Sequence, residues 1–194
     1  MKLAALERLA SHDPLTGLLN HASAKKQIIE RIEDRPGSQF AMVIFDLDHF
    51  KNANNTYGHI FGDNVLKFLA DRLQEGIRGA DIAARVGGDE FLLFLEYGGE
   101  LDPVISRIYH TISGSMFEEF PICLSMGIAP TDVVGTDYDA LFHAADQALY
   151  KVKRSGRGRY AFYDESMRDM LSVISPIEGS PDAGEEAGGE KGES

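Results

Sequence analysis

The stretch ARVGGDEFLLFLE, Ala84 to Glu96, constrains this chain most. Two apolar runs, over 82–86 and 91–95, flank Gly87-Gly88-Asp89-Glu90. Paired glycines between such runs are hairpin chemistry, because glycine reaches the positive φ that a tight turn between strands needs. The chain is therefore expected to hold an antiparallel strand pair within a core. A plain hairpin does not need two adjacent acids beside its turn, so Asp89 and Glu90 call for a positive partner.

A second run points to the same place. FAMVIF, over 40–45, is short, unbroken and rich in β-branched residues, which predicts a buried strand. It ends in DLDHFK, so Asp46 and Asp48 are delivered to the rim of a sheet, where ligand sites gather. If the hairpin lies beside this strand, Asp46 converges with Asp89 and Glu90. Three carboxylates held together repel one another unless some are protonated or a cation joins them. Mg²⁺ suits such a site, since it takes hard oxygen ligands and shares them with substrate phosphates. The plainer reading is that each acid solvates a turn. That reading is favoured for Asp48 alone, and is weaker for Asp46 with Asp89, because acids seldom interrupt two core strands without a partner.

The rest of the chain alternates. Leu3, Leu6 and Leu9 suggest the end of an amphipathic helix, and Pro14 and Gly17 mark a break. Helices are expected over 22–33, 62–73 and 101–113. A last helix carries the stripe Leu141, Phe142, Ala145, Ala148, Leu149 and Val152 and ends at Gly156. Further strands are expected over 122–129 and, at an edge, 160–163. The order predicts a mixed sheet covered by helices, in the α+β or α/β range. The tail from Ser175 is rich in Gly, Pro, Ser and Glu and is expected to be disordered.

Composition narrows the function classes. Hydrophobic residues make up 43%, enough to bury a core. No apolar run is long enough to cross a bilayer, and Glu7 and Arg8 fall where a signal peptide would be uncharged. The lone cysteine, Cys123, excludes an internal disulfide and reads as a buried strand thiol. A cytoplasmic protein is expected. The formal charge of −12 disfavours nucleic acid and anionic membrane as partners. The tail from Ser175 supplies −5 of it, six acids against one lysine. Lys151, Lys153, Arg154, Arg157 and Arg159 form an opposing basic cluster, which lacks the interleaved aromatics of a nucleic-acid module. The six histidines show no ligand-like grouping.

Other residues have two readings each. In FKNANNTYGHIFGD, Gly58 and Gly62 flank a short linking segment, and Asp63 is placed either to charge the start of the next helix or to accept from a ligand's N–H groups. Asn54 offers a donor and an acceptor that, with Asp63, would suit a guanine edge. Lys153 and Arg157, four apart, either complement a helix C-terminus or hold a triphosphate.

Five blocks in series resemble the GGDEF family of diguanylate cyclases: DPLTGLLN, FDLDHFKNANNTYGHIFGD, RVGGDEF, SMGIA and ADQALYKVKRSGRGR. The resemblance covers about Asp13 to Tyr163. It implies an α+β fold of the nucleotide-cyclase/polymerase-palm type, a mostly antiparallel central sheet wrapped by helices. It implies an active-site turn at Gly87, Gly88, Asp89 and Glu90. Asp46, the Leu47 carbonyl and Asp89 would bind Mg²⁺ or Mn²⁺, two ions per GTP site. Asn54 and Asp63 would read guanine. Lys153, Arg157 and backbone amides near Phe50 and Lys51 would hold phosphates. The reaction implied joins two GTP into cyclic di-GMP with release of two pyrophosphates, in a homodimer with one GTP per subunit.

A second site is also implied. Arg78-Gly-Ala-Asp81, five residues before Gly87, matches the family's product-binding Arg-x-x-Asp, with Arg107 as a second arginine. The plainer alternative is a surface pair decorating a turn. Asn54-Asn55 departs from the usual Asn-Asp and leaves the guanine-reading position intact. Residues 1–12 resemble the end of a signalling helix, followed by a domain over 13–165 and an acidic tail over 175–194. Because such domains are normally the output of a larger protein, the chain is expected to be either a fragment with a missing N-terminal sensor domain or a subunit that relies on something else to dimerise it. The competing function is a catalytically silent GTP or cyclic di-GMP sensor acting through protein partners. Such members commonly lose acids from the turn, and this chain keeps them.

Overall fold

The unbroken apolar run becomes β2 (Gln39–Leu47), an interior strand of a six-stranded sheet in this computed structural model, which describes residues 8–167. The other strands of the sheet are β1 (Leu19–Asn20), β3 (Ile82–Gly87), β4 (Glu90–Tyr97), β7 (Leu124–Pro130) and β8 (Tyr160–Phe162). Their order is β1-β3-β4-β2-β7-β8. The pairs β3·β4, β4·β2 and β2·β7 are antiparallel, and parallel pairs occur only at the edges, β1·β3 and β7·β8. A separate small hairpin joins β5 (Met116–Phe117) to β6 (Phe120–Pro121). The fold is the mostly antiparallel α+β arrangement that the sequence leads one to expect.

Helices cover both faces, which is why β2 is apolar at every position from Phe40 to Phe45 rather than at alternate ones. Ala41, Val43, Phe45 and Leu47 join one core with α3 (His59–Gly76) and α4 (Asp102–Ile112). Phe40, Met42 and Ile44 join the other, with α1 (His21–Asp34) and α6 (Tyr138–Arg154). Each large side chain fully buried in this way contributes about 1.5–3 kcal/mol. Asn20 and Asp137 cap α1 and α6 by accepting from the Ser23 and Ala140 amides.

Close approach at Gly127 sets α6 on the sheet. A Cβ there would lie 2.0 Å from the Ala145 carbonyl oxygen and 2.3 Å from the Leu149 nitrogen. The helix can thus lie directly on β7, with its C-terminal end over the rim where Asp46 emerges.

Several local expectations need correction. Gly58 is the N-cap of α3, which begins at His59, so Gly62 and Asp63 lie within the helix rather than at its start. The polar segment ahead of it forms α2 (Phe50–Tyr57), whose only fully buried residue is Ala53, too thin an apolar face to announce a helix. Short β1, β5, β6 and α5 (Thr131–Val134) also had no clear sequence signal. Cys123 is exposed and precedes β7, because period-two alternation turns Ile122 and Leu124 inward and the residue between them outward. Residues 8–11 are helical; Leu3, Leu6 and the tail from Ser175 lie outside the described residues. Among the described residues, no helix is long and apolar enough to cross a membrane.

Candidate active site

The sheet register brings the acids together. Asp46 on β2 pairs with Glu90 on β4 and with Ser125 on β7. All three continue the face that α1 and α6 cover, since their strand neighbours two residues away lie in that core or face α6. On the opposite face of the sheet, Phe45 stacks on Phe91 with ring centroids 5.5 Å apart, which pins the same two strands beside the row. The turn between β3 and β4 consists of Gly88 and Asp89, with Gly87 opposite Glu90 and a register irregularity between Arg85 and Gly87. Asp89 is therefore the tip of the turn, and Gly88 takes the positive φ of 54°.

A cavity of about 290 Å³ opens at this rim. Asp46, Leu47, Phe50, Lys51, Asp89, Lys153 and Arg157 line it, as does Asp48. Most of the residues singled out in the sequence for metal and phosphate thus share one cavity. Phe50 and Lys51 begin α2, where the first-turn N–H groups have no acceptor within the helix.

Asp46 is buried, and its two oxygens differ. Oδ2 pairs with the Lys153 ammonium, whereas Oδ1 is buried with no hydrogen-bond partner. Burial pushes its carboxyl up to about 6, and Lys153 offsets this only in part. The Asp89 and Asp48 charges push it further the same way. A carboxylate this under-partnered fits a cation. Among the described residues, no three His, Cys, Asp or Glu side chains form a cage by themselves. That is compatible with Mg²⁺, which typically takes one or two carboxylates and completes its shell with phosphate and water.

Asn54 and Asp63 lie outside this cavity, on α2 and α3. A Cβ on Gly62 would sit 1.9 Å from Asn54 Oδ1 and 3.2 Å from Phe50 Cζ. Gly62 lets α2 and α3 close over the Asn54 amide, and Asp63 is the next residue on α3, exposed. Asn54 Oδ1 is itself buried without a partner.

Arg78 and Asp81 line a different cavity, of about 340 Å³. Asp81 Oδ2 accepts from the Arg78 amide at 2.8 Å, which shapes the turn, and Arg31 on α1 donates to the Ala80 carbonyl at 2.6 Å. Arg107 does not line that cavity. Its guanidinium donates to the Gly76 carbonyl at 2.7 Å, two residues before Arg78.

The family described as "Diguanylate cyclase, GGDEF domain" matches residues 10–159. The chain belongs to the GGDEF domain family. A signaling protein of Caulobacter vibrioides is 37% identical over 177 residues, 84% of this chain and 21% of its own length. Diguanylate cyclase DgcP of Pseudomonas aeruginosa is 38% identical, over 76% of this chain and 23% of its own. The chain therefore spans about a fifth of the length of these curated relatives. The name does not decide the chemistry, because Escherichia coli PdeR, a cyclic di-GMP phosphodiesterase, is also 32% identical over 86% of this chain. Among solved structures, the GGDEF domain of Pseudomonas aeruginosa TpbB (YfiN) superposes with a TM-score of 0.74 at 29% identity, covering 83% of this chain and 99% of that one. Caulobacter crescentus DgcB in complex with c-di-GMP gives 0.73 at 26%, covering 83% and 90%.

In this GGDEF domain three residues have roles that sequence reasoning missed. Asp48 is buried and does not solvate the turn it sits in. Its Oδ1 accepts from the Ser125 hydroxyl at 2.7 Å and its Oδ2 from the Gly158 amide at 2.9 Å. Asp13 and Arg85 join the DPLT turn to the acidic turn. Arg85 Nη1 contacts the Asp13 carboxylate at 3.1 and 3.3 Å, while its Nε and Nη2 donate to the Gly88 carbonyl at 2.9 and 2.7 Å. Burial alone would raise Asp13, but the Thr16 hydroxyl and amide, with Arg85, hold it below the usual range. The available signal was the pair of blocks DPLTG and RVGGDEF; what was missing was that they meet.

Proposed function

We propose that this GGDEF domain is a diguanylate cyclase that condenses two GTP into cyclic di-GMP as a homodimer, one GTP per subunit. The observation that carries the reading is the buried, unpartnered Oδ1 of Asp46 in a cavity that also holds Asp89, Lys153 and Arg157. Lys153 and Arg157 would bind the triphosphate, together with the amides of Phe50 and Lys51 at the start of α2. Asn54 and Asp63 would orient guanine around Gly62. Each ribose 3′-oxygen would then attack the α-phosphorus of the other nucleotide, with the α–β phosphoanhydride bond breaking and pyrophosphate leaving.

Divalent metal, Mg²⁺ or Mn²⁺ with two ions per site, would be held by Asp46, the Leu47 carbonyl and Asp89, and would acidify the hydroxyl and neutralise charge on the leaving group. Glu90 completes the acidic row opposite Asp46. Gly87 and Gly88 have open space around their Cα atoms, room in which a nucleotide can approach the backbone. The cavity at Arg78 and Asp81 would bind product, with Arg107 fixing the α3 end behind the turn. Action in the cytoplasm, without nucleic acid, fits the acidic chain.

The test is incubation with GTP and Mg²⁺ and chromatographic detection of cyclic di-GMP, with Asp89→Ala as control. We expect product at a rate rising faster than linearly with protein concentration, and none from the variant, which keeps its fold by circular dichroism. Tight GTP binding with no product, even when the domain is forced to dimerise, would replace this reading with that of a silent sensor.

A further inference from the structure

We propose that Asp48 is a positioning residue that holds the turn after α6 in its left-handed form and so fixes Arg157 over the cavity. The proposal rests on the nucleotide-binding reading above and assigns a new role within it. Three successive residues of that turn have positive φ: Gly156 at 107°, Arg157 at 62° and Gly158 at 61°. For arginine this is costly, and such backbone persists only where its surroundings dictate it.

Within the turn, Arg159 Nε donates to the Arg157 carbonyl at 3.2 Å, and the other ties are few. The turn is tied to the helix end by the Arg157 amide donating to the Val152 carbonyl at 3.1 Å. It is tied to the sheet by the Met126 amide donating to the Arg159 carbonyl at 3.0 Å. Between these two anchors, the Gly158 amide donates to Asp48 Oδ2 at 2.9 Å. The Ser125 hydroxyl, fully buried, steadies the other oxygen at 2.7 Å, and Arg157 Nε lies 3.9 Å from it.

Asp48 sits two residues after Asp46, so it faces the same way from the same strand end. The two acids differ in what they are free to do. Asp46 has an oxygen with no partner, whereas both oxygens of Asp48 are taken by protein donors. Asp48 is thus committed to the turn rather than to a cation. The strand end supplies one carboxylate to the cavity and a second to the loop that carries the cavity's arginine. Without the second, the turn can relax to ordinary negative φ, which swings the Arg157 side chain away.

The test compares Asp48→Ala, Asp48→Asn, Arg157→Ala and the double variant Asp48→Ala/Arg157→Ala in the full chain. Two readouts are taken: hydrogen exchange of the Gly158 amide by NMR, without nucleotide, and GTP affinity by calorimetry in Mg²⁺. Asp48→Ala should speed Gly158 exchange about tenfold while leaving the Val43 amide of β2 protected, and should weaken GTP about tenfold. Asp48→Asn can still accept from Gly158 and donate to Ser125, so it should keep Gly158 protected and GTP within about threefold. The double variant should bind GTP no more than about twofold worse than Arg157→Ala, because the two changes remove one interaction.

Unchanged Gly158 exchange in Asp48→Ala, or losses of affinity that simply add, would overturn the proposal. If Asp48→Ala does not fold, Ser125→Ala carries the test: Gly158 exchange should rise about threefold, and an unchanged rate overturns the proposal. Failure of the wild-type chain to bind GTP would instead strike the nucleotide reading, while the exchange measurement still decides whether Asp48 holds the turn.

Discussion

Replacing Asp46 by asparagine isolates the cost of one buried charge from every other titration in the metal-free protein. Burial, only partly offset by Lys153, raises this carboxyl from 3.8 to about 6. The folded chain therefore holds the proton more tightly than the unfolded chain does. Ionised Asp46 works against folding, fully so above pH 6, and the handicap fades as pH falls from 6 toward 4. Moving from 3.8 to about 6 corresponds to about 3 kcal/mol at pH 7.5 and about half of that at pH 5. Wild type should accordingly gain roughly 1–2 kcal/mol on Asp46→Asn between these two pH values. With a urea dependence of about 2 kcal/mol per molar, its midpoint should rise by roughly 0.5–1 M relative to the variant. The assay is urea denaturation followed by circular dichroism in EDTA at both pH values. Midpoints that move in parallel would refute the reasoning, because the asparagine has no proton to bind. Mg²⁺ with a non-reactive GTP analogue supplies a second arm. Proton and cation compete for the same oxygen, so ligand should stabilise wild type more at pH 7.5 than at pH 5.

Two further outcomes follow from the site's geometry. Gly62→Ala puts a methyl group against Asn54 Oδ1, the movable end of a side chain, so the fold should survive while the amide is displaced. GTP affinity should fall about tenfold and preference over ATP should shrink with it; calorimetry with both nucleotides checks this, and unchanged preference would remove Asn54 from guanine reading. Arg78→Ala should relieve inhibition by cyclic di-GMP while leaving the initial rate of synthesis intact. Initial rates against added product measure this, and unchanged inhibition would take the cavity at Arg78 and Asp81 out of the account.

How legible the site was in sequence depended on distance along the chain. Asp46, Asp89 and Glu90 were readable because acids interrupting apolar strands are conspicuous, and because a hairpin and a neighbouring strand have few ways to pair. The register then set Asp46 opposite Glu90 as the strand-end argument requires. Gly62 and Asp63 misled because a glycine before an acid imitates a helix start, while its actual use, room for Asn54, depends on a neighbouring helix. Asp48 was opaque for a stronger reason. Its partner Gly158 lies 110 residues away, and no local pattern distinguishes a solvated acid from one that accepts a distant amide. The Asp13–Arg85 contact, 72 residues apart, is hidden in the same way. Both contacts join the acidic rim to segments entering or leaving the sheet: the DPLT turn before β1 and the glycine turn before β8. The acids that sequence reveals are thus those proposed to meet a ligand. Those it conceals face the chain itself, and the first kind is held in place by the second.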